Sequence, residues 1–190
     1  EEYPFVDMKV DDLKLMDKKN ITIPIVNQNE YNLINKMNTS AKKIGEISKC
    51  YTGEIDLSLN KKYYSMIEND TPLLRGAQIQ KWFITKKISQ GELLYIDKEK
   101  YLSENNSDKS KHYQYNRIVM QGITGINEKN RLKMTITQNG EFCANSVNYI
   151  IPPKDDDYDI YYILGILNSD LINWYFKKFS TNSNVNGYEV

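Results

Sequence analysis

Apolar and polar residues alternate most cleanly over residues 131–137, where Leu132, Met134 and Ile136 are interleaved with Arg131, Lys133, Thr135 and Thr137. A period of two predicts a β-strand with one apolar face and one cationic, hydroxylated face turned to solvent or a ligand. The Asn139–Gly140 pair that follows favours a type I′ turn and predicts a hairpin with a strand over 142–151. Residues 117–123 read as a neighbouring strand, joined to it through 124–130. Further short strands are expected over 44–52, ending at Gly53, and over 72–75, 81–85 and 92–96, broken by Gly76 and Gly91. Helical spacing appears in Tyr31, Leu33, Ile34 and Met37, which predict a short helix over 27–37 capped by Asn27 or Asn29. After Pro152–Pro153 and the acidic run 155–157, a helix over 158–167 leads to a second one. Asn168 or Ser169 caps it, and Leu171, Ile172, Tyr175, Phe176 and Phe179 form its stripe.

Residues 1–26 read as an extended lead-in, where Pro24 suits 21–26 to an edge strand or linker. The stretch 103–110 (SENNSDKS) has no apolar residue and is expected to be an exposed loop. The pattern predicts an α+β fold, a mostly antiparallel β-sheet with a C-terminal helical hairpin. An extended lead-in and short helix over 1–40 precede a domain over 41–190.

With 190 residues, 40% hydrophobic and 26% charged, the chain can bury one core. No apolar run approaches the roughly 20 residues of a bilayer span, so no membrane partner is expected. Two cysteines and one histidine cannot supply a Cys/His zinc site, and the expected setting is reducing and cytoplasmic. A start without Met and an abrupt end at Val190 lead us to expect a piece of a longer polypeptide. Basic and acidic residues balance at 25 each, but 71–151 holds 12 basic against 7 acidic residues and all three arginines. That excess is either a solvated face or a surface for phosphates and guanine edges.

Neither a GxxxxGK loop nor a GxGxxG turn is present, which argues against a nucleotide-dependent enzyme. His112 lies in polar SDKSKHYQYN and reads as an exposed loop residue. Cys50 and Cys143 sit in strand patterns as buried small hydrophobes, and Asp155–Asp157 reads as a solvated helix start. No catalytic residue and no metal-ligand set is assigned.

Four stretches stand in order: TPLLRGAQIQKWFI (71–84), RIVMQGITGINEKNRLKMTI (117–136), EFCANSVNYII (141–151) and LGILNSDLINWYFKKFSTNSNVNGYEV (164–190). Together they resemble the TaqI-like C-terminal specificity domain, the target recognition domain of type II restriction-modification enzymes, and are closest to the large type IIS and IIG enzymes. The first resembles the family's PLLRGxDI box, with Gln78 where Asp is common. The last resembles its LLNSxLxNWxFK helix and tail, with Ser183–Asn184 in place of Asn-His.

The resemblance implies double-stranded DNA as partner. It also implies an upstream adenine methyltransferase domain in the same chain, which uses S-adenosylmethionine and flips its target base out of the duplex. A nuclease using Mg2+ is a further possibility for the parent protein, and no cofactor is implied within these residues. Phosphate contacts set affinity and base-edge contacts set specificity. On this basis Arg75, Arg117, Gln121, Thr124, Arg131, Lys133, Thr135, Thr137 and Asn145 are assigned to DNA, with Thr181, Asn182 and Asn184 of the tail. Arg75 equally suits a carboxylate within the domain, and the tail equally suits a helix cap. Trp82, Tyr175 and Phe176 are expected in the core. The competing readings are a protein-interaction or dimerisation module using the helices over 158–179, and a small hydrolase using Asp155 and Asp159.

Overall fold

A computed structural model of the chain describes residues 5–16, 21–40, 42–67, 70–87, 92–125, 127–153 and 158–179. Helices α1 (Val10–Met16), α2 (Gln28–Ser40) and α3 (Ile44–Ile47) precede β1 (Cys50–Thr52), β2 (Tyr64–Ser65) and β3 (Thr71–Leu74). A 3-10 turn leads into the hairpin β4 (Ile79–Gln80) and β5 (Phe83–Ile84), followed by β6 (Leu94–Ile96) and α4 (Lys98–Glu104). A second 3-10 segment precedes β7 (Arg117–Gln121), β8 (Met134–Thr137), β9 (Phe142–Cys143) and β10 (Val147–Ile150). Helices α5 (Ile160–Leu167) and α6 (Asp170–Phe179) close the described chain.

The central sheet runs β1-β10-β7-β8, antiparallel throughout. A second sheet runs β2-β6-β3-β9, antiparallel except for the parallel β3–β9 pair. The fold is α+β, rich in antiparallel strands, with two C-terminal helices. One face of the central sheet, Ile118, Met120, Met134 and Ile150, packs on Leu164, Leu167 and Phe176 of α5 and α6. That face is apolar because alternate residues of each strand point the same way, and burying it against two amphipathic helices is the main hydrophobic gain. The opposite face, with Val119, Val147 and Tyr149, is covered by Ile79 of β4 and by Cys143. A separate core under the second sheet gathers Ile55, Leu73, Ile96, Phe142 and Tyr101. Helix α2 joins α6 through Asn38 Nδ2, which donates to Tyr175 Oη at 3.1 Å, and through Lys178 with Glu30 at 2.9 Å.

The structure departs from the sequence pattern in several places. Residues 10–16 form α1, with Asp11 and Asp12 in its first turn, where an extended lead-in was expected, and residues 21–27 form no strand. The strand expected over 44–52 begins with α3, before which Lys43 N–H donates to Glu46 Oε2 at 3.2 Å, and only 50–52 pair with β10. Asn139 and Gly140 do turn the chain, with Gly140 at φ +99°. The strand beyond the turn nevertheless leaves β8: β9 joins β3 in the second sheet, and β10 pairs with β1 and β7. Residues 103–110 are not simply an exposed loop, since α4 extends to Glu104 and Ser110 is buried, its Oγ donating to Asn105 O at 2.9 Å.

Candidate nucleic-acid interface

The polar face read from 117–137 exists, but it points inward. Register pairs Arg117 with Thr137 and Val119 with Thr135, so these side chains share the face opposite α5 and α6. Arg117 is fully buried. It forms an ion pair with Glu54, whose side chain is also fully buried, and donates to Glu141 O. Its guanidinium lies 4.5 Å from the Tyr149 ring centroid. Burial pushes the Glu54 carboxyl above the usual range while Arg117 pulls it back, and Glu54 Oε2 also accepts from Cys143 N–H at 3.0 Å. A charge removed from water is retained only when paired and hydrogen-bonded in this way.

Thr135 and Thr137 are likewise buried. Thr124 and Arg131 are buried together: Thr124 Oγ1 donates to Arg131 O at 3.1 Å, and the Arg131 guanidinium sits 5.5 Å from the Phe176 ring. The structure thus places Arg117, Thr124, Arg131, Thr135 and Thr137, all assigned to DNA from the sequence, in buried positions among the described residues. Lys133 is held 3.2 Å from Glu128 with 18% of its side chain exposed.

The backbone that carries three assigned residues does come together, at the turn where the chain crosses between sheets. Residues 144–146 connect β9 to β10, and Ser146 anchors two neighbouring segments. Its carbonyl accepts from Gly122 N–H at 2.9 Å, and its Oγ accepts from Gly76 N–H at 3.0 Å. The approach is too close for side chains: a Cβ on Gly76 would lie 2.5 Å from Ser146 O, and one on Gly53 would lie 2.0 Å from Ala144 O. Arg75 precedes Gly76, Gln121 precedes Gly122 and pairs with Val147, and Asn145 tops the turn. Exposed Asn145 donates from Nδ2 to Asp56 Oδ2 at 2.8 Å. Half-buried Arg75 donates from Nη1 to Glu92 O at 3.1 Å, so its intradomain partner is a carbonyl and not a carboxylate. Thr181, Asn182 and Asn184 lie outside the described residues.

Other expectations also change. Trp82 is not in the core: it is 54% exposed at the tip of the β4–β5 hairpin beside Phe83 at 57%. It occupies the second position of the two-residue loop at φ +81°, a conformation that disfavours a bulky side chain. Phe176 is buried as expected, and Tyr175 is half-buried. Cys50 is exposed while Cys143 is buried. His112 belongs to the 3-10 segment Lys109–Gln114, where its Nδ1 shares a 2.8 Å hydrogen bond with Tyr149 Oη. Burial, with Arg117 nearby, lowers its pKa. It borders a cleft of about 440 Å³ lined also by Lys49, Tyr51, Tyr115 and Pro152. Asp159 caps α5, its Oδ1 accepting from Tyr161 and Tyr162 N–H at 2.7 and 3.0 Å, while Asp155 lies outside the described residues.

Of the two cap candidates, Ser169 caps α6, its Oγ accepting from Ile172 N–H at 3.2 Å, while Asn168 and Asn173 bind the chain at and just before β8. Asn168 accepts from Met134 N–H at 3.2 Å and donates to Met134 O at 2.9 Å. Asn173 Oδ1 accepts from Arg131 and Leu132 N–H at 2.8 and 3.2 Å, and its Nδ2 donates to Lys129 O at 3.0 Å. Their i, i+5 spacing across the α5–α6 junction was the available signal.

The family model of the TaqI-like C-terminal specificity domain matches residues 71–188, well over half of the chain. The chain belongs to this family. The specificity domain is a DNA-specificity module of restriction-modification enzymes and is itself non-catalytic. No curated protein matches the sequence. The matched span of this specificity domain runs from β3 through α6, and so includes Arg75, Gln121, Asn145 and the aromatic hairpin tip. It leaves out β1, which completes the central sheet, and Glu54, which neutralises Arg117. Among the described residues no group of three or more His, Cys, Asp or Glu is placed to hold a metal ion, and no helix is long and apolar enough to cross a membrane.

Proposed function

We propose that this specificity domain reads a short base sequence in double-stranded DNA and holds the duplex for an adenine methyltransferase domain upstream in the same polypeptide. S-adenosylmethionine, and Mg2+ where the parent enzyme also cleaves, would be held by that upstream part, in a cytoplasmic setting. One observation carries the reading: within a chain of this family, the backbone that carries Arg75, Gln121 and Asn145 comes together at the crossover turn around Ser146, fixed by glycine contacts. Arg and Asn or Gln are the side chains that pair bidentately with guanine and adenine edges.

Selection of the 190-residue chain on a randomised duplex pool at low salt tests this, alongside Arg75→Ala and Asn145→Ala. A short motif should be enriched, and each substitution should relax one of its positions, since a good base-edge contact discriminates by about 1–3 kcal/mol. A pool that emerges unchanged with every protein would sink base reading by this chain. One further observation favours a second reading, a protein-docking module: Tyr161, Tyr162, Ile166 and Leu171 on α5 and α6 are exposed. Dimeric elution that Tyr162→Ser abolishes, together with no retention of DNA, would favour it.

A further inference from the structure

We infer that the tip of the β4–β5 hairpin is an aromatic wedge that inserts between bases of the bound duplex, with Trp82 leading and Phe83 beside it. This wedge presupposes the DNA-reading role proposed above and adds a contact distinct from the base-edge set.

The base of the hairpin is fixed in the core, for Ile79 is fully buried, whereas Trp82 and Phe83 leave more than half of their surface to solvent. The tip is also held in place. Trp82 N–H donates to Met134 O at 2.9 Å, tying the loop to the edge of β8, and Lys81 Nζ lies 3.4 Å from Asp170 Oδ1 at the start of α6. With φ +81° at the second loop position, where a turn of this kind usually takes glycine, the backbone points a large ring outward. A rigid, outward aromatic loses little freedom on binding.

The surrounding charge selects the occupant. Residues 75–87 contain Arg75, Lys81, Lys86 and Lys87 and no carboxylate, and Lys86 and Lys87 are exposed. Asp170 answers Lys81, and Arg75, Lys86 and Lys87 leave the segment cationic beside the exposed ring, which complements a polyanion that has π-faces; protein wedges of this kind unstack base steps. Seven residues separate Arg75 from Trp82, at most about 25 Å of chain. That is about seven base steps of duplex, so both ends of the segment reach one site.

Trp82 and Trp174 are the two tryptophans, so Trp174→Phe leaves Trp82 as the sole tryptophan, whose emission is excited at wavelengths the tyrosines do not absorb. Duplex retained from the randomised pool at low salt should quench its emission. Trp82→Gly removes the ring and relieves the positive φ. It should leave thermal stability equal or higher while weakening duplex binding at least about fivefold, the lower end for one stacked base. The salt dependence should not change, because no cation is lost. Phe83→Ala should weaken binding in the same sense. Wild-type affinity in both variants, or emission indifferent to saturating duplex, overturns the wedge and leaves DNA reading intact. A chain that retains no duplex at all removes both.

Discussion

Removal of the Arg117 guanidinium separates a scaffold role from a DNA contact. In Arg117→Met the Glu54 carboxylate keeps backbone N–H groups, its own and that of Cys143 at 3.0 Å, but no cation to answer its charge, in a site where both side chains are fully buried. Breaking a buried pair by deleting one partner costs about 3–5 kcal/mol, whereas replacing both by apolar groups is often close to neutral. Against a total of about 5–15 kcal/mol for a domain, the single variant loses a large share of its stability. Arg117→Met/Glu54→Leu should recover part of that loss. Recovery is incomplete because Glu141 O is left one donor short, at a cost of about 1 kcal/mol. Urea unfolding of the wild type, both single variants and the double variant closes a cycle that isolates the pairwise energy. The double variant should bind duplex with the wild-type salt slope. A loss below about 1 kcal/mol in Arg117→Met, with the slope reduced by about 0.9, would show that Arg117 reaches a phosphate and that its inward placement is wrong.

Asn173→Ala should destabilise the chain by about 1–3 kcal/mol for each backbone amide it orphans, those of Arg131 and Leu132, whereas Leu171→Ala on the exposed side of α6 should stay within about 0.5 kcal/mol. Chemical unfolding compares the two directly, and equal effects would refute the stitching role. The alkaline limb offers a further check. Burial pushes the Tyr101 hydroxyl up to about 12 from 10.0, so it holds its proton more tightly folded than unfolded. Stability from this group is present below pH 10 and is lost as pH rises toward about 12. Burial also raises Tyr149 and Cys143, which act in the same direction. The stability difference between wild type and Tyr101→Phe should shrink across that window, and a difference independent of pH would refute it.

The sequence was most legible where one local rule decides the outcome. The helical spacing of Tyr31, Ile34 and Met37 appears as α2, the alternation of 131–137 holds in β8, and Asn139–Gly140 does turn the chain. What local rules could not show was which surface lies against which. Alternation gives β7 and β8 two chemically different faces, but nothing within 117–137 announces that Glu54, 63 residues away, lies under the polar one. The hairpin expected after Gly140 fails for the same reason: the turn is local, whereas the choice of β3 as partner for β9 depends on the close approach of Gly53 and Gly76 to residues 144–146. Trp82 misleads because its size suggests the core, while the turn that carries it faces outward. Of the site, the family boxes located Arg75, Gln121 and Asn145 along the chain, but their meeting point is visible only once Ser146 joins the segments that carry them.

That meeting point owes its shape to the main chain more than to side chains. The crossover turn is held by main-chain groups and one hydroxyl: Gly122 N–H on Ser146 O, Gly76 N–H on Ser146 Oγ, and Asn145 N–H on Ile55 O at 2.8 Å. None of these contacts uses the side chain of Arg75, Gln121 or Asn145. Arg75 and Asn145 instead direct their side chains to Glu92 O and Asp56 Oδ2, whereas the glycines beside Arg75 and Gln121 admit no Cβ. Arg117, Thr135 and Thr137 of β7 and β8 are under a different constraint, since each is buried. Substitutions on the crossover turn should therefore cost less stability than substitutions at those buried polar positions.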